Sequence, residues 1–333
     1  MLSGCFQLTV LFLLVSGSIL DLRGQDPHFS QYYAHPLYLN PALAGTGECG
    51  RIIAGFRNQW PGIDQTFTTA TLEADRYIDA LSGGVGITVL ADDAAGLINT
   101  LRMSGMYAYH LKISREMSLN AGFEAVYHQQ RMDWDELVFR DMIDVNTGNI
   151  LPGTTGEVPP SQTSVSAIDL STGFMLGISD KYYIGISGHH LAEPELGYYI
   201  SDEAVLYRKY ALHGGAHFVL VDSYYPNDRG ELSLNPNVVY QRQKNAQQLN
   251  LGLNLSYHPF VVGLWYRHNF LNPDALIGFV GLKHKYFNFG YSYDLTVSGL
   301  KGESGGAHEV TLSFLFGCEG KRKKPGAIKC PEF

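Results

Sequence analysis

The feature that most constrains this chain is a two-residue alternation of apolar and small polar side chains that recurs along most of its length. Leu249, Leu251, Leu253, Leu255 and Tyr257 alternate with Asn250, Gly252, Asn254, Ser256 and His258. Phe287, Phe289, Tyr291, Tyr293 and Leu295 alternate with Asn288, Gly290, Ser292 and Asp294, and Val310, Leu312, Phe314 and Phe316 with Glu309, Thr311 and Ser313. Period two belongs to an extended strand with one dry face and one polar face. The runs are about ten residues long, the length a tilted strand needs to cross a bilayer. Their polar sides are small, which suits a wet lumen and not the core of a sandwich.

Past the first twenty residues no long uncharged apolar run appears, which excludes a bundle of membrane helices. The mean hydropathy of -0.07 is that of a soluble protein. A transmembrane barrel has such a value too, because only alternate residues of each strand face lipid. The 21 Tyr, 17 Phe and 37 Gly, against 17% charged residues, favour strands and turns over helices.

Strands are expected near 51–58, 66–77, 83–91, 98–111, 117–130, 165–178, 181–190, 206–221, 231–243, 247–258, 260–269, 276–284, 286–295 and 307–317. The fold class is therefore all-β, a transmembrane antiparallel β-barrel of about fourteen strands, an even number as single-chain outer-membrane barrels have. Closure removes the exposed edges that so many apolar strands would otherwise present. Alternate connections (78–82, 112–116, 179–180, 222–230, 259 and 285) are short, apart from the Pro226-Asn227-Asp228 turn. The opposite set contains the long ones, 131–164, 191–205 and 296–306. Outer-membrane barrels have short periplasmic turns and long outer loops, so this asymmetry places both termini in the periplasm.

The apolar run Phe6–Leu20 reads as a signal peptide occupying residues 1–24, with cleavage after Gly24, although no Lys or Arg precedes it. The lipobox spelling Leu2-Ser3-Gly4-Cys5 precedes the apolar run when it should follow it, and is set aside. Next come a periplasmic N-terminal segment, 25–50, lying as a rim strap or a lumen plug, then the barrel, 51–317, and a basic C-terminal tail, 318–333. Asp21 and Arg23 cancel, so the exported chain keeps the net charge of -8 and would repel nucleic acid. It also keeps three cysteines, Cys49, Cys318 and Cys330. A Cys318–Cys330 bridge closing a short loop is the favoured disulfide. Barrel closure also brings Cys49 near Cys318, which is the alternative.

Two stretches carry a family resemblance. One runs Gln25-Asp26-Pro27-His28-Phe29-Ser30-Gln31-Tyr32-Tyr33 and continues in Pro36-Leu37-Tyr38-Leu39-Asn40-Pro41-Ala42-Leu43-Ala44-Gly45. The other comprises Gly290-Tyr291-Ser292-Tyr293-Asp294, Gly306-Ala307-His308-Glu309-Val310 and the closing Lys329-Cys330-Pro331-Glu332-Phe333. Together they resemble the PorP/SprF family of the type IX secretion system. The resemblance implies a non-enzymatic outer-membrane protein of Bacteroidota that serves the secretion and gliding machinery. Implied partners are periplasmic ring components, a peptidoglycan-associated protein and secreted surface cargo such as large adhesins. A passive channel or fatty-acid-type transporter is the alternative use of such a barrel.

Segment 25–50 has X-Pro steps and no clean alternation, so an irregular, aromatic-rich course is expected. Asp26, Pro27, Phe29, Tyr32, Tyr33, Asn40 and Pro41 are its candidate partner-docking residues. In the tail, Lys321, Arg322, Lys323 and Lys324 form either a solvated basic run or an electrostatic handle for an acidic partner. No catalytic, cofactor or metal site is expected. Ser304 lies in a G-x-S-x-G spelling, but a strand follows it where a nucleophile elbow needs a helix. The calcium-like run from Asp144 has Thr155 where a bidentate Glu belongs. His213 and His217 are about 13 Å apart along a strand, too far for one ion. With His189 and His190 they read as lumen or girdle histidines. Gly83-Gly84-Val85-Gly86 lacks a dinucleotide fingerprint, and the sequon at Asn254 lies inside a membrane strand.

Overall fold

The computed structural model describes residues 26–318, apart from 48, 64–65, 152, 154, 180, 200–203, 223–229, 271 and 298–303. The expected signal peptide, Cys330 and the basic run Lys321–Lys324 lie outside the described residues. The strands are β1 (Gly50–Gln59), β2 (Phe67–Ile78), β3 (Gly83–Ala94), β4 (Ile98–Lys112), β5 (Met117–Met132), β6 (Ser164–Ile178), β7 (Tyr182–His189), β8 (Lys209–Ala216), β9 (Phe218–Val221), β10 (Leu232–Gln243), β11 (Ala246–Tyr257), β12 (Phe260–Asn269), β13 (Asn272–Lys283), β14 (Phe287–Thr296) and β15 (Ala307–Phe316). β8 and β9 both pair with β10 and are parted at His217, so together they form one stave of a fourteen-strand barrel. Every pairing is antiparallel, and β1 closes on β15 from Gly50 opposite Phe316 to Gln59 opposite Ala307.

The alternation sorts the side chains as expected. Leu251, Leu253, Leu255 and Tyr257 are exposed on the outer surface, while Asn250 and Asn254 are buried inside. Phe56, Leu72, Ile87, Phe123 and Leu264 continue the outer apolar belt, each at least half exposed. No helix among the described residues is long and apolar enough to cross a membrane. The least accurate expected boundary is the start of β13, which begins at Asn272 and not near 276. Pro273 reads as a loop residue, but it sits opposite His268 at a register shift, where a bulge tolerates the missing N–H.

The lumen is filled. From Phe29 to Gly47 every residue is buried except Tyr33, which is half-buried. Two helical turns shape this plug, α1 (Pro36–Leu39) and a 3-10 turn, Pro41–Leu43. Each opens on a proline, whose fixed φ suits a first helical position. Asn40 separates them, and its side chain accepts the Ala42 N–H at 2.9 Å, so one Asn-Pro step ends one turn and caps the next. Leu39, Ala42 and Leu43 pack on Met175, Ala211 and Val239 of the wall, and Leu37 and Ala44 pack on Met106 and Ala108. Tyr33 stacks on Trp265, with ring centroids 5.6 Å apart. Full burial of a leucine or phenylalanine contributes about 1.5–3 kcal/mol, so Phe29, Leu37 and Leu43, all at most 1% exposed, are substantial anchors.

The small inward residues of the wall make room for this chain. A Cβ at Gly173 would overlap Asn40 Oδ1, and one at Gly122 would overlap Pro41 and the Ala42 nitrogen. Gly173→Val is therefore expected to cost about 1–3 kcal/mol by overpacking and to leave the plug open to proteolysis in the folded barrel. Gly105→Ala, with nothing within 4 Å of its added carbon, serves as the silent control. Equal protection of the plug in both variants would refute this close fit.

Candidate functional site

Glutamates, aspartates and arginines face inward on several staves and bind the plug at successive heights. The plug begins at the end of the barrel that carries the long loops. There the Asp26 N–H donates to Gln243 Oε1 at 3.2 Å, beside the β10–β11 turn. Asp26 Oδ2 also meets His190 Nε2 at 2.8 Å and Lys209 Nζ at 3.2 Å. His190 lies just past β7, and its Nδ1 meets Asp169 Oδ2 at 2.7 Å. Burial works to lower the His190 pKa, but the two carboxylates outweigh it and lift it to about 9. Lys209 also stands 4.7 Å above the ring of Tyr38, whose hydroxyl donates to the Pro27 carbonyl at 2.6 Å.

A second node holds Ser30 and Gln31. The Glu309 carboxylate accepts both of their N–H groups, at 2.7 and 3.0 Å. Arg57 bridges Glu309 at 3.1 Å and Asp294 at 2.9 Å, and Arg267 also pairs with Asp294. Ser30 Oγ donates to Asp294 at 2.7 Å and accepts from both arginines. Two carboxylates thus meet two guanidinium groups, and charge balance makes their burial tolerable. Lower down, His35 Nδ1 lies 2.9 Å from Glu73 Oε1. The Asn40 amide donates to the carbonyls of Phe174 and Ile186. Near the short-turn end the Gly45 N–H donates to Asp75 at 2.7 Å, and Asp75 takes Arg51 through two nitrogens at 2.9 and 2.8 Å.

The contacts run in order down the lumen, so the described chain starts at the long-loop end and leaves the other end at Cys49. Strand counting puts both termini at one rim. Asp26 and Cys318, the first and last described residues, lie at opposite ends of the barrel, and the termini themselves lie outside the described residues. Strand parity fixes where residue 50 sits but says nothing of the path before it.

Cys318 is bonded to Cys49, with Cα atoms 4.8 Å apart, and this corrects the Cys318–Cys330 pairing. The cause is the β1–β15 closure, which sets Gly50 opposite Phe316 and so brings the two preceding and following cysteines together. Cys49→Ser is expected to lower unfolding stability by about 2–5 kcal/mol, read as a shift in denaturant midpoint that reductant reproduces in the unaltered protein. A wild-type midpoint insensitive to reductant would contradict it.

Of the docking candidates, Phe29, Tyr32, Asn40 and Pro41 are buried against the wall and offer a partner no surface. Asp26, Pro27 and Tyr33 are half-buried. Ser304 donates to Thr296 Oγ1 at 3.3 Å, and Asp144 Oδ1 accepts the N–H groups of Asn146 and Thr147. His213 is buried beside Asn40, 3.0 Å from its amide, and His217 Nδ1 meets Asn235 Oδ1 at 2.7 Å. Sequence reasoning did not find the wall residues Glu73, Arg267 and Glu309 as plug ligands. Their only signal was an inward position for a charge that a lipid-facing strand would not carry.

A closed antiparallel barrel with an outer apolar belt and a polar interior defines an outer-membrane β-barrel protein. Residues 22–314 match the family model described as "Type IX secretion system membrane protein PorP/SprF", and the chain belongs to that family. It is an outer-membrane protein of the type IX secretion system. Among solved structures it is similar to Omp33 of Acinetobacter baumannii, at 8% identity over 81% of this chain and 100% of that one, with TM-score 0.44. A Pseudomonas aeruginosa FadL homologue matches at 11% identity over 83% and 93%, with TM-score 0.42. The CymD monoaromatic hydrocarbon channel matches at 12% over 85% and 93%, with TM-score 0.47. No curated protein matches.

Proposed function

We propose that this protein is a non-enzymatic scaffold of the type IX machinery that assists export or surface anchoring of secreted cargo such as large adhesins. The observation that carries the reading is the seated plug. A transporter needs a continuous path, whereas here residues 29–47 occupy the lumen. The void beside the plug, lined by Tyr32, Leu43, His213 and Trp265 among others, is about 20 Å³, room for roughly one water molecule. With the short turns in the periplasm, the long loops 133–163 and 190–208 face cargo and the tail after Cys318 faces periplasmic components. In that orientation Asp26 lies at the outer mouth.

Affinity purification from the native envelope tests this reading. Recovery of ring components, a peptidoglycan-associated protein or a giant secreted adhesin is the expected result. A barrel recovered alone, under conditions that preserve other envelope complexes, would count against it.

A further inference from the structure

We propose that His128, Asp169 and His190 form a binding site for one divalent transition-metal ion, with Asp26 of the plug as the outer carboxylate that orients it. The three residues come from neighbouring strands. His128 lies near the long-loop end of β5, Asp169 on β6, and His190 directly after β7. All three are buried, and one ligand atom from each lies within 4.8 Å of the other two.

His128 supplies the observation that a structural ion pair leaves unexplained. It is 4% exposed, and its Nε2 has no hydrogen-bond partner. That atom faces Asp169 Oδ2 at 3.8 Å, beyond hydrogen-bond reach. Two ligands of a tetrahedral ion with bonds of about 2 Å stand roughly 3.3 Å apart, so a small shift brings the pair to a shared ion. His190 Nδ1 lies 2.7 Å from the same Asp169 oxygen, and an ion takes the place of the proton between them. The other Asp169 oxygen accepts the N–H groups of Leu170 at 2.7 Å and Ala192 at 3.3 Å, which fixes the carboxylate plane.

The outer shell has the right form as well. A ligating imidazole characteristically donates its second ring N–H to a carboxylate. His190 Nε2 does so toward Asp26 Oδ2 at 2.8 Å. Two imidazoles and one carboxylate select zinc and its first-row neighbours; calcium and magnesium prefer sets made of oxygen. Three protein ligands leave a fourth position for water. The ion ties three wall strands to the first described residue of the plug. This inference rests on the plug's position and not on any role in secretion.

The test uses the full-length protein in detergent, stripped by chelator and titrated with Zn²⁺ alone. One ion per chain is expected, and Co²⁺ in its place should give the visible absorption of a low-coordinate nitrogen–oxygen site. His128→Gln should weaken binding beyond about a hundredfold and Asp26→Asn by about ten- to a hundredfold. His284→Gln, on the distant β13–β14 turn, should leave it unchanged. Nε2 of His128 has no partner to lose, so its variant should retain the folded barrel's fast electrophoretic mobility. Should it not, Asp26→Asn carries the test alone, since it alters no wall strand. Absence of stoichiometric binding, or unchanged affinity in these two variants, overturns the proposal.

Discussion

Internal deletion of residues 26–44 should turn a silent barrel into a steadily conducting pore in planar bilayers. Barrels of eight strands are just filled by their own side chains, whereas those of sixteen or more hold an aqueous channel. Fourteen staves lie nearer the second case, and here the interior is closed by plug residues such as Leu37, Tyr38 and Leu43, each at most 8% exposed. Without them, water would hydrate Glu73, Glu124, Asp169, Asp294 and Glu309 together with Arg57, Arg102 and Arg267. Hydrated charges need no buried partner, so the empty barrel should still fold. The deletion retains Cys49 and Arg51 and hence the seam. A wild-type protein that conducts steadily, or a deletion variant that folds and stays silent, would overturn the sealed-lumen account.

Glu309→Ala should be the most damaging single substitution in the wall. Its carboxylate is fully buried and holds two plug N–H groups and Arg57. Removing one partner of a buried, hydrogen-bonded charge cluster costs about 3–5 kcal/mol, because the remaining charge stays buried without compensation. Of its two carboxylate partners Arg57 would keep only Asp294, which Arg267 already shares. The loss should show as a lowered denaturant midpoint. It should also speed thiol labelling of a Ser30→Cys reporter relative to the same reporter in an otherwise unaltered barrel. Glu309→Gln, which keeps one acceptor oxygen, should be milder in both. Wild-type midpoint and labelling rate in Glu309→Ala would show that the plug is held by other contacts.

The barrel wall was legible in the sequence because a strand writes its environment into every second residue. Leu251, Leu253 and Leu255 face lipid and Asn250 and Asn254 face inward, as alternation requires. The plug was not legible in the same way. Asn40 contacts Phe174, Ile186 and His213 across the lumen, and no periodicity links position 40 to positions 134 or more residues away. The small inward residues were read as the lining of a wet lumen. Gly122 and Gly173 show the other use of a missing side chain, which is room for a second backbone. The disulfide turned on the same distinction. Proximity in sequence favoured Cys330, and strand closure decided for Cys49. The histidine cluster escaped notice because its members come from three strands, and spacing along one strand cannot reveal a set assembled across them.

The Cys49–Cys318 bond gives the chain the topology of a closed ring with two arms. Residues 49–318 form a covalent loop that no unzipping of the β1–β15 ladder can open. The plug and the tail leave that loop from the two sulfur-linked residues, so both arms share one root. A pull on the tail is therefore shared between the end of β15 and, through the sulfur bridge, the start of β1 and the foot of the plug.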